Sequence, residues 1–246
     1  MAGQGRVVSN TTTALVTGAN KGIGRETVRR LAELGWQVFL GARDAERGKA
    51  AAFELAEQGL HVEFVQLDVT SVESIAAAAE TIAGRTPHLD VLINNAGIGG
   101  TRATPADTVA ADFRNVFETN VFGPVQVTHA FLPLLRAATN PRIVMVSSGI
   151  GSITITSDPS RIESQILGLV YPSSKTALNM ITTQYSRELP QMRVNAADPG
   201  YTATDLNGNS GHQTVTEGTD AIVHLATIGA DGPTGGFFNR LGRVPW

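Results

Sequence analysis

Residues 17–24 read TGANKGIG and join a short apolar run, residues 14–16, to an amphipathic stretch, residues 23–34. Glycines in such a strand-to-helix turn allow a tight reversal and let the backbone approach a pyrophosphate, which then lies at the N-terminus of the helix. The spacing Gly-x-x-x-Gly-x-Gly differs from the Gly-x-Gly-x-x-Gly dinucleotide motif, and no Gly-Lys-Ser/Thr of a Walker A loop follows. The turn therefore predicts phosphate binding at a strand–turn–helix unit; the alternative is a glycine-rich connection that binds no ligand.

The alternation of short apolar runs and longer amphipathic runs continues along the chain. The apolar runs predict strands at residues 14–16, 38–41, 62–67, 91–93, 143–146 and 194–197. The amphipathic runs predict helices at residues 23–34, 45–58, 71–83, 113–138 and 173–189. Continuous apolar strands are typical of a parallel sheet that helices cover on both faces. We therefore expect an α/β fold with a doubly wound, mostly parallel, Rossmann-like sheet of about seven strands.

The chain shows no internal boundary. No repeat, low-complexity linker or change in composition divides it, so residues 1–246 are expected to form a single domain, with residues 1–11 as a flexible polar tail. Asp44 and Ser71 stand where the N-caps of the second and third helices are expected. Residues 150–170 and 207–216 are long for loops in a compact domain, which predicts that they border the substrate site.

The composition excludes several classes of protein. With a net charge of −3 and an isoelectric point near 6.0, the chain is not expected to bind nucleic acid or an anionic membrane. The absence of cysteine excludes disulfides, thiolate metal sites and cysteine nucleophiles, and the five histidines show no metal-ligand spacing. No apolar run reaches the ~20 residues that span a bilayer. Because the N-terminus also lacks the features of a signal peptide, a cytoplasmic location is expected.

The order of short motifs resembles that of the short-chain dehydrogenase/reductase family. The Thr-Gly-x-x-x-Gly-x-Gly pattern of residues 17–24 comes first. It is followed in the family's order by NNAG at 94–97, Asn120 in the next predicted helix, SS at 147–148, YPSSK at 171–175 and PG at 199–200. Each motif is short and common by itself, whereas the shared order and spacing carry the resemblance.

Two of these motifs hold the candidate catalytic residues. Tyr171 and Lys175 are four residues apart and project from the same face of a helix, and a neighbouring ammonium favours the phenolate form of a phenol. Such a pair can exchange a proton with a carbonyl oxygen. The resemblance implies that Tyr171 is the acid/base and that Ser148 binds the substrate oxygen. It also implies that Lys175 lowers the pKa of Tyr171 and binds the nicotinamide ribose, and that Asn120 supports a proton-relay water.

Each of these residues taken alone has an ordinary structural explanation. A Tyr-x-x-x-Lys pair is common on helix surfaces, paired serines after a strand often cap a turn, and Asn120 can bond to a helix backbone. Ser147 is the second serine candidate, but the resemblance favours the later serine of such a pair. A serine hydrolase is excluded, because Met145 and Val146 occupy the positions that a Gly-x-Ser-x-Gly motif gives to glycine.

Residues 40–44 read LGARD and bear on the choice between NAD and NADP. An NAD enzyme places an acidic residue at this strand end to bind the ribose hydroxyls. The matching position here is Ala42, followed by Arg43, which leaves room for an adenosine 2′-phosphate and neutralises it. Lys21 adds a second cation, a combination that resembles NADPH-dependent members of the family. The alternative is that Asp44 takes the acidic role and Arg43 points into solvent.

The resemblance extends the expected cofactor site along the whole edge of the sheet. Asp68 resembles the residue that contacts the adenine, and the Pro199–Gly200 region resembles the nicotinamide side. The residues expected to bind NADP(H) are Gly18, Asn20, Lys21, Gly22, Ile23, Gly24, Arg43, Asp68, Val69, Asn95, Ala96, Gly97, Tyr171, Lys175, Pro199, Gly200, Thr202 and Thr204.

Three stretches resemble the carbonyl reductase branch of the family: residues 18–24, residues 41–44 and GGFF at 235–238. That branch reduces ketones, aldehydes and quinones with NADPH. Gly149, Ile150 and Tyr201 are expected in the substrate pocket, with a buried packing role as the alternative for Tyr201. The number of residues between the catalytic serine and tyrosine lies between those of tetrameric and monomeric members, so the choice between monomer and homo-oligomer stays open.

The sequence therefore predicts an NADPH-dependent oxidoreductase that reversibly reduces a ketone, aldehyde or quinone carbonyl to an alcohol. Two alternatives stay open: a reductase of an activated C=C or C=N bond on the same scaffold, and a non-catalytic NADP(H)-binding sensor. The expected partners are a small-molecule carbonyl or alcohol and NADP(H), without a metal, a nucleic acid or a membrane.

Overall fold

The computed structural model describes residues 11–101 and 103–246, so residues 1–10 of the expected tail lie outside the described residues. The strands are β1 (Thr13–Val16), β2 (Gln37–Ala42), β3 (Val62–Gln66), β4 (Val91–Asn94), β5 (Arg142–Val146), β6 (Arg193–Ala197), β7 (Phe237–Asn239) and β8 (Gly242–Val244). The six predicted strands are all present, with bounds that differ by one residue.

The helices alternate with the first six strands, as the sequence predicts. They are α1 (Gly22–Glu33), α2 (Ala45–Ala56), α3 (Val72–Ala83), α4 (Ala110–Phe117), α5 (Gly123–Arg136), α6 (Ile153–Thr156), α7 (Val170–Glu188), α8 (Val215–Gly218) and α9 (Asp220–Thr227). Asp44 and Ser71 cap α2 and α3 through their side chains, as expected. Within the described ranges, no helix is both long enough and apolar enough to cross a lipid bilayer.

The strands form one sheet in the order β3-β2-β1-β4-β5-β6-β7-β8, which confirms the predicted doubly wound topology. All neighbouring strands are parallel except β7 and β8, which form an antiparallel hairpin. The described residues thus contain eight strands rather than about seven. Two of them, β7 and β8, lie outside the six predicted runs, and each is three residues long. Since β8 exposes Gly242 and Arg243, it has no apolar run that the sequence analysis could detect.

Side chains of successive strand residues enter two separate hydrophobic cores. In β1, Ala14 and Val16 belong to the core beneath α1, α2 and α9, whereas Leu15 belongs to the core beneath α3, α5 and α7. All three residues are fully buried. Because both faces of the central strands are covered, alternation between apolar and polar residues is absent there, and the strands read as continuous apolar runs.

The strand order reverses between β1 and β4, which both lie at the centre of the sheet. In an open α/β sheet, the crevice outside the carboxyl ends of the strands at such a reversal is where ligands bind. The glycine-rich turn follows β1, and the 94–97 motif closes β4. Two of the predicted motifs therefore meet at this crevice.

The prediction of a single helix over residues 113–138 is wrong in one respect. A π-helical turn, Glu118–Phe122, divides this stretch into α4 and α5. Pro124 has no N–H to donate to the residue four positions earlier, and the N–H of Gly123 instead bonds to the carbonyl of Glu118. Asn120 lies in this wider turn, buried at the side of the crevice.

The two stretches predicted as loops contain short helices. Residues 150–170 include α6 and two 3₁₀ turns, Gly149–Gly151 and Ile162–Gln165, and α7 begins at Val170, three residues earlier than predicted. Residues 207–216 follow a third 3₁₀ turn, Asp205–Asn207, and are linked to the preceding loop by a bridge between Thr202 and Gln213. Tyr171 therefore lies in the first turn of α7.

Candidate active site

The glycine-rich turn is pressed against the end of β4. Gly18 has a positive φ of 63°, and a Cβ atom at this position would lie 2.8 Å from the Cα atom of Ala96. A Cβ atom at Gly24 would lie 2.5 Å from the side-chain nitrogen of Asn95. Only glycine fits at these two positions, because the turn lies directly against other residues of the chain. The predicted close approach of the backbone to a pyrophosphate stays a prediction.

Hydrogen bonds of Thr17 and Asn95 stabilise the contact between the glycine-rich turn and the end of β4. The Thr17 hydroxyl accepts the backbone N–H groups of Asn95 and Ala96, both at 3.0 Å. The Asn95 side-chain amide donates to the carbonyl oxygens of Thr17 and Gly18 at 2.8 and 3.2 Å. The Asn95 amide, expected to line the cofactor, is thus directed into the turn. Thr17, which the sequence analysis quoted but did not assign, is the residue that fixes the turn.

The N-terminus of α1 suits a phosphate group. Its N-cap, Lys21, contributes no side-chain hydrogen bond to the helix, and in this described segment the first helical turn contains no acidic residue. The backbone N–H groups of the first turn and the helix dipole therefore face the crevice without an internal anion to neutralise them. The glycine cradle and this helix end fit the pyrophosphate of a dinucleotide, with Asn20 half-buried in the turn and Ile23 packed on the core.

Two cations border the far end of this site. Arg43 is exposed and directly follows β2, whereas Asp44 accepts the N–H of Arg47 at 3.0 Å as the cap of α2. The carboxylate of Asp44 therefore accepts a hydrogen bond from the helix that it caps. The Lys21 ammonium lies 2.7 Å from the carboxylate of Asp205, in the loop after β6.

The two residues after β3 that were expected at the cofactor make contacts within the chain. Asp68 Oδ1 accepts both the backbone N–H and the hydroxyl of Thr70, at 2.9 and 2.7 Å. Val69 is buried, and a Cβ atom on Gly123 would lie 2.9 Å from its side chain. The Val69 side chain therefore packs in the core, and its expected contact with the cofactor stays a prediction.

Lys175 and Tyr171 lie together on α7, as their spacing predicts. The Lys175 ammonium is buried and donates to the carbonyl oxygen of Val146 at 2.8 Å, and it lies 5.6 Å from the centre of the Tyr171 ring. Ser148 acts on the Tyr171 hydroxyl, where it lowers the pKa of that phenol. A Cβ atom at Gly97 would lie 3.5 Å from the Lys175 nitrogen, so the 94–97 motif reaches the same point.

The Asn120 side chain joins two walls of this site. Its oxygen accepts the N–H of Ile98 at 2.9 Å, and its nitrogen donates to the Ile98 carbonyl at 2.9 Å and to the Ser174 hydroxyl at 3.1 Å. The residue predicted to support a relay water thus ties the loop after β4 to α7 through its side chain. Ser147 is also internal, since its hydroxyl donates to Asn179 at 2.5 Å. That contact agrees with the choice of Ser148.

The pKa values of Tyr171 and Lys175 on α7 are shifted in ways that the sequence analysis did not expect. Burial is the main cause that raises the pKa of Tyr171 to about 12, the charge of Asp198 adds to it, and the Ser148 hydrogen bond opposes it. Burial lowers the pKa of Lys175 to about 8. The net shift of the Tyr171 pKa is thus upward, because burial and the charge of Asp198 prevail. The lowering of this pKa by Lys175 that the resemblance implies stays a prediction.

The loop after β6 differs most from the predicted arrangement. Thr202, expected near the nicotinamide, is 3% exposed and donates to the carbonyl of Pro199 at 3.0 Å, which directs its hydroxyl inward. The methyl group of Thr204 lies 3.6 Å from a Cβ atom placed on Gly22, so this loop reaches the glycine-rich turn. Gly200 has a positive φ of 70° at the start of the loop.

Two of the three expected pocket residues follow Ser148 directly in the chain. Gly149 lies beside the carboxylate of Asp198, and Ile150 is half-buried in the same 3₁₀ turn. Tyr201 is 48% exposed, and its hydroxyl lies 2.5 Å from that of Ser210, so the buried packing alternative is wrong.

Sequence reasoning missed Asp198, a buried carboxylate in this same corner. The available signal was an acidic residue directly after an apolar strand, at the carboxyl edge where the other site residues lie. Among the described residues, no group of three or more histidines or acids is arranged to hold a metal ion.

Comparisons with known proteins agree with this geometry. A family model described as short chain dehydrogenase matches residues 12–214. The short-chain dehydrogenase anuI of Penicillium roqueforti is 40% identical over 88% of this chain and 88% of its own. The (+)-neomenthol dehydrogenase of Capsicum annuum is 31% identical, with 94% and 96% covered.

Solved structures give the same result. The NADPH-bound carbonyl reductase from chicken fatty liver has a TM-score of 0.85 and 31% identity, with 96% of this chain and 99% of that chain covered. Salutaridine reductase from Papaver somniferum has a TM-score of 0.81 and 28% identity, with 93% and 99% covered. The matched region contains the glycine-rich turn, the 94–97 motif and the Ser148, Tyr171 and Lys175 group, and the chain therefore belongs to the short-chain dehydrogenase family of oxidoreductases.

Proposed function

We propose that this protein is an NADPH-dependent reductase of small-molecule ketones, aldehydes or quinones, which also oxidises the corresponding alcohols. The observation that carries the proposal is the buried Lys175 ammonium, 5.6 Å from the centre of the Tyr171 ring, with Ser148 acting on the same phenol. This group lies at the carboxyl edge of the sheet, in the crevice that the glycine-rich turn borders. We also propose that the sheet and its site form a single domain.

Each residue of the group has a distinct task in carbonyl reduction. A phenol whose pKa is raised to about 12 is protonated at neutral pH, so Tyr171 donates its proton to the carbonyl oxygen as negative charge develops there. Ser148 hydrogen-bonds the same oxygen and fixes its position. Lys175 holds the nicotinamide ribose, and Asn120 keeps the loop at Ile98 against α7. When bound, NADPH supplies the hydride that the carbonyl carbon receives.

The preference for NADPH rests on the two cations at the end of the crevice. Arg43 is exposed beside the small Ala42, and the nearest acid, Asp44, is occupied as a helix cap. A guanidinium at this place is suited to bind a 2′-phosphate, and Lys21 adds a second positive charge. The related carbonyl reductase from chicken fatty liver has NADPH bound.

The exposed side chains around the crevice favour an apolar substrate. Ile98, Leu169 and Leu206 are 38%, 41% and 52% exposed and come from three different loops. These loops converge, since Leu206 lies 3.6 Å from a Cβ atom placed on Gly99, and Val170 lies 3.8 Å from one placed on Gly100. An apolar wall with a few polar groups at its base is the usual form of a small-molecule site.

The proposal is tested by measuring NADPH consumption with ketones, aldehydes, quinones and steroids, with every product identified by mass spectrometry. Formation of an alcohol from at least one apolar ketone or aldehyde supports it. A saturated product that retains its carbonyl would instead assign reduction of a C=C bond, and an amine product would assign reduction of a C=N bond. Tight NADPH binding without turnover across the panel would favour the sensor alternative.

A further inference from the structure

Asn179 lies one helical turn after Lys175 on α7 and therefore shares its helix face. Its side chain is buried, and both ends of its amide are hydrogen-bonded. The oxygen accepts the hydroxyl of Ser147 at 2.5 Å, and the nitrogen donates to the carbonyl oxygen of Gly151 at 3.1 Å. Because Ser147 precedes Ser148 and Gly151 follows it, one buried amide holds the chain on both sides of Ser148.

The chain on either side of the candidate catalytic serine is packed closely on α7. A Cβ atom placed on Gly151 would lie 2.7 Å from the Cβ atom of Lys175, so only glycine fits at this contact. Thr176 donates its hydroxyl to the carbonyl oxygen of Gly151 at 2.9 Å, and the Lys175 ammonium donates to that of Val146 at 2.8 Å. The hydrogen bonds of Asn179 thus belong to a series that fixes this part of the chain along the helix.

The turn after Ser148 also has hydrogen bonds of its own. The N–H of Gly151 donates to the carbonyl oxygen of Ser148 at 2.9 Å, and the N–H of Ser152 donates to that of Gly149 at 3.0 Å. These bonds shape the turn, but they do not attach it to another element. The Asn179 amide does attach it, so the placement of Ser148 relative to α7 depends on that amide.

We propose that Asn179 is a positioning residue of the active site: its amide holds residues 147–151 against α7 and thereby fixes Ser148 where it meets the substrate oxygen beside Tyr171. This inference rests on the proposed function, in which Ser148 binds that oxygen. A buried amide with satisfied hydrogen bonds also contributes to stability. The two roles differ in one measurable respect, since a positioning effect acts through the Ser148 hydroxyl and disappears when that hydroxyl is absent.

The first test is a double-mutant cycle between Asn179→Leu, which removes both hydrogen bonds, and Ser148→Ala, with a substrate identified in the screen. When Ser148 is present, Asn179→Leu is expected to lower kcat by about tenfold to a hundredfold, because a small displacement of a reacting group has an effect of this size. In the Ser148→Ala background, the same change is expected to lower kcat by less than about twofold. Equal losses in both backgrounds would make Asn179 a purely structural residue and overturn the proposal.

A second measurement needs no substrate. Hydrogen exchange followed by mass spectrometry reports the opening of the turn through the N–H groups of Gly151 and Ser152. Asn179→Leu is expected to accelerate exchange in residues 147–155 by about tenfold, while β1 and β2 stay protected. Unchanged exchange in a folded variant would overturn the inference. Faster exchange in a protein that reduces no carbonyl would support the attachment of the turn and overturn only the proposed function.

Two variants control for a general loss of stability. Thr182 is buried on the same helix, and its hydroxyl donates to the carbonyl oxygen of Leu178 within α7. Thr182→Val is therefore expected to leave kcat and the exchange of residues 147–155 unchanged. Ser147→Ala removes one hydrogen bond of Asn179 and is expected to change both measurements in the same direction as Asn179→Leu, by a smaller factor. If Asn179→Leu does not fold, wild-type values in Ser147→Ala would overturn the proposal.

Discussion

The side-chain nitrogen of Lys21 lies 2.7 Å from Oδ2 of Asp205, so the glycine-rich turn is linked across the crevice to the loop after β6. Both side chains are more than half exposed, and an exposed ion pair of this kind contributes only about 0.2–1 kcal/mol. A phosphate group therefore competes effectively with Asp205 for the same ammonium.

Replacing Asp205 with Asn is expected to strengthen NADPH binding, because Lys21 is then free to bind the 2′-phosphate. We expect the Kd for NADPH to fall by about two- to fivefold, which corresponds to the loss of one exposed ion pair, with the Kd for NADH unchanged. Fluorescence titration with the two cofactors measures this. Equal changes for NADH and NADPH would mean that Asp205 acts by placing its loop, and Lys21→Ala serves as the reciprocal control.

Replacing Arg43 with Ala is expected to weaken NADPH binding by about tenfold to a hundredfold, since a charge-assisted hydrogen bond to the phosphate is lost. The Kd for NADH is expected to change little. Arg47→Ala is the matched control, because Arg47 is an exposed arginine on the adjoining helix that pairs with Asp44. Equal losses for both cofactors in the Arg43 variant would contradict the phosphate role.

Replacing Tyr171 with Phe is expected to lower kcat by about 10²–10⁴-fold and to leave the Kd for NADPH nearly unchanged, because the ring remains and only the proton donor is lost. Tyr185→Phe, on the same helix but packed on the core, is the control and is expected to retain turnover. Steady-state rates together with cofactor titration distinguish the two effects. Substantial turnover by the Tyr171 variant would remove the proposed acid.

The buried Lys175 is expected to make stability depend on pH. Burial lowers the pKa of Lys175 from its ordinary value of 10.5 to about 8 in the folded chain, so between these values the unfolded chain binds the additional proton. The free energy of unfolding therefore rises with pH in this window, by about 1–3 kcal/mol relative to Lys175→Met. Urea unfolding of both proteins from pH 7.5 to pH 10 measures the difference. Parallel curves for the two proteins would contradict it.

Replacing Thr17 with Val is expected to lower the free energy of unfolding by about 1–3 kcal/mol, because the N–H groups of Asn95 and Ala96 lose their acceptor. The Kd for NADPH is expected to increase, since the glycine-rich turn is no longer fixed to β4. Thr17→Ser keeps the hydroxyl and is expected to restore both properties. If Thr17→Val binds NADPH as the wild type does, the turn is held by other contacts.

The sequence by itself determined the fold and pointed to the candidate catalytic residues. Fully buried strands such as β1 must be continuously apolar, and helices must be amphipathic and capped, so the alternation of the two patterns predicted the doubly wound sheet. Tyr171 and Lys175 could be predicted because a helix brings residues four positions apart to one face. These relationships are local or periodic, and the spacing of residues along the chain is therefore enough to predict them.

Only the tertiary structure decided how distant residues act on one another. Three contacts join residues that follow different strands. They are the ion pair of Lys21 and Asp205, the hydrogen bonds between Thr17 and Asn95, and the contact of Asp198 with Gly149. The direction of the Tyr171 pKa shift belongs to the same class, because it depends on burial and on a carboxylate after another strand. Hydrogen bonds and charges act through space, and their partners are set by how the strand ends converge rather than by any spacing in the sequence.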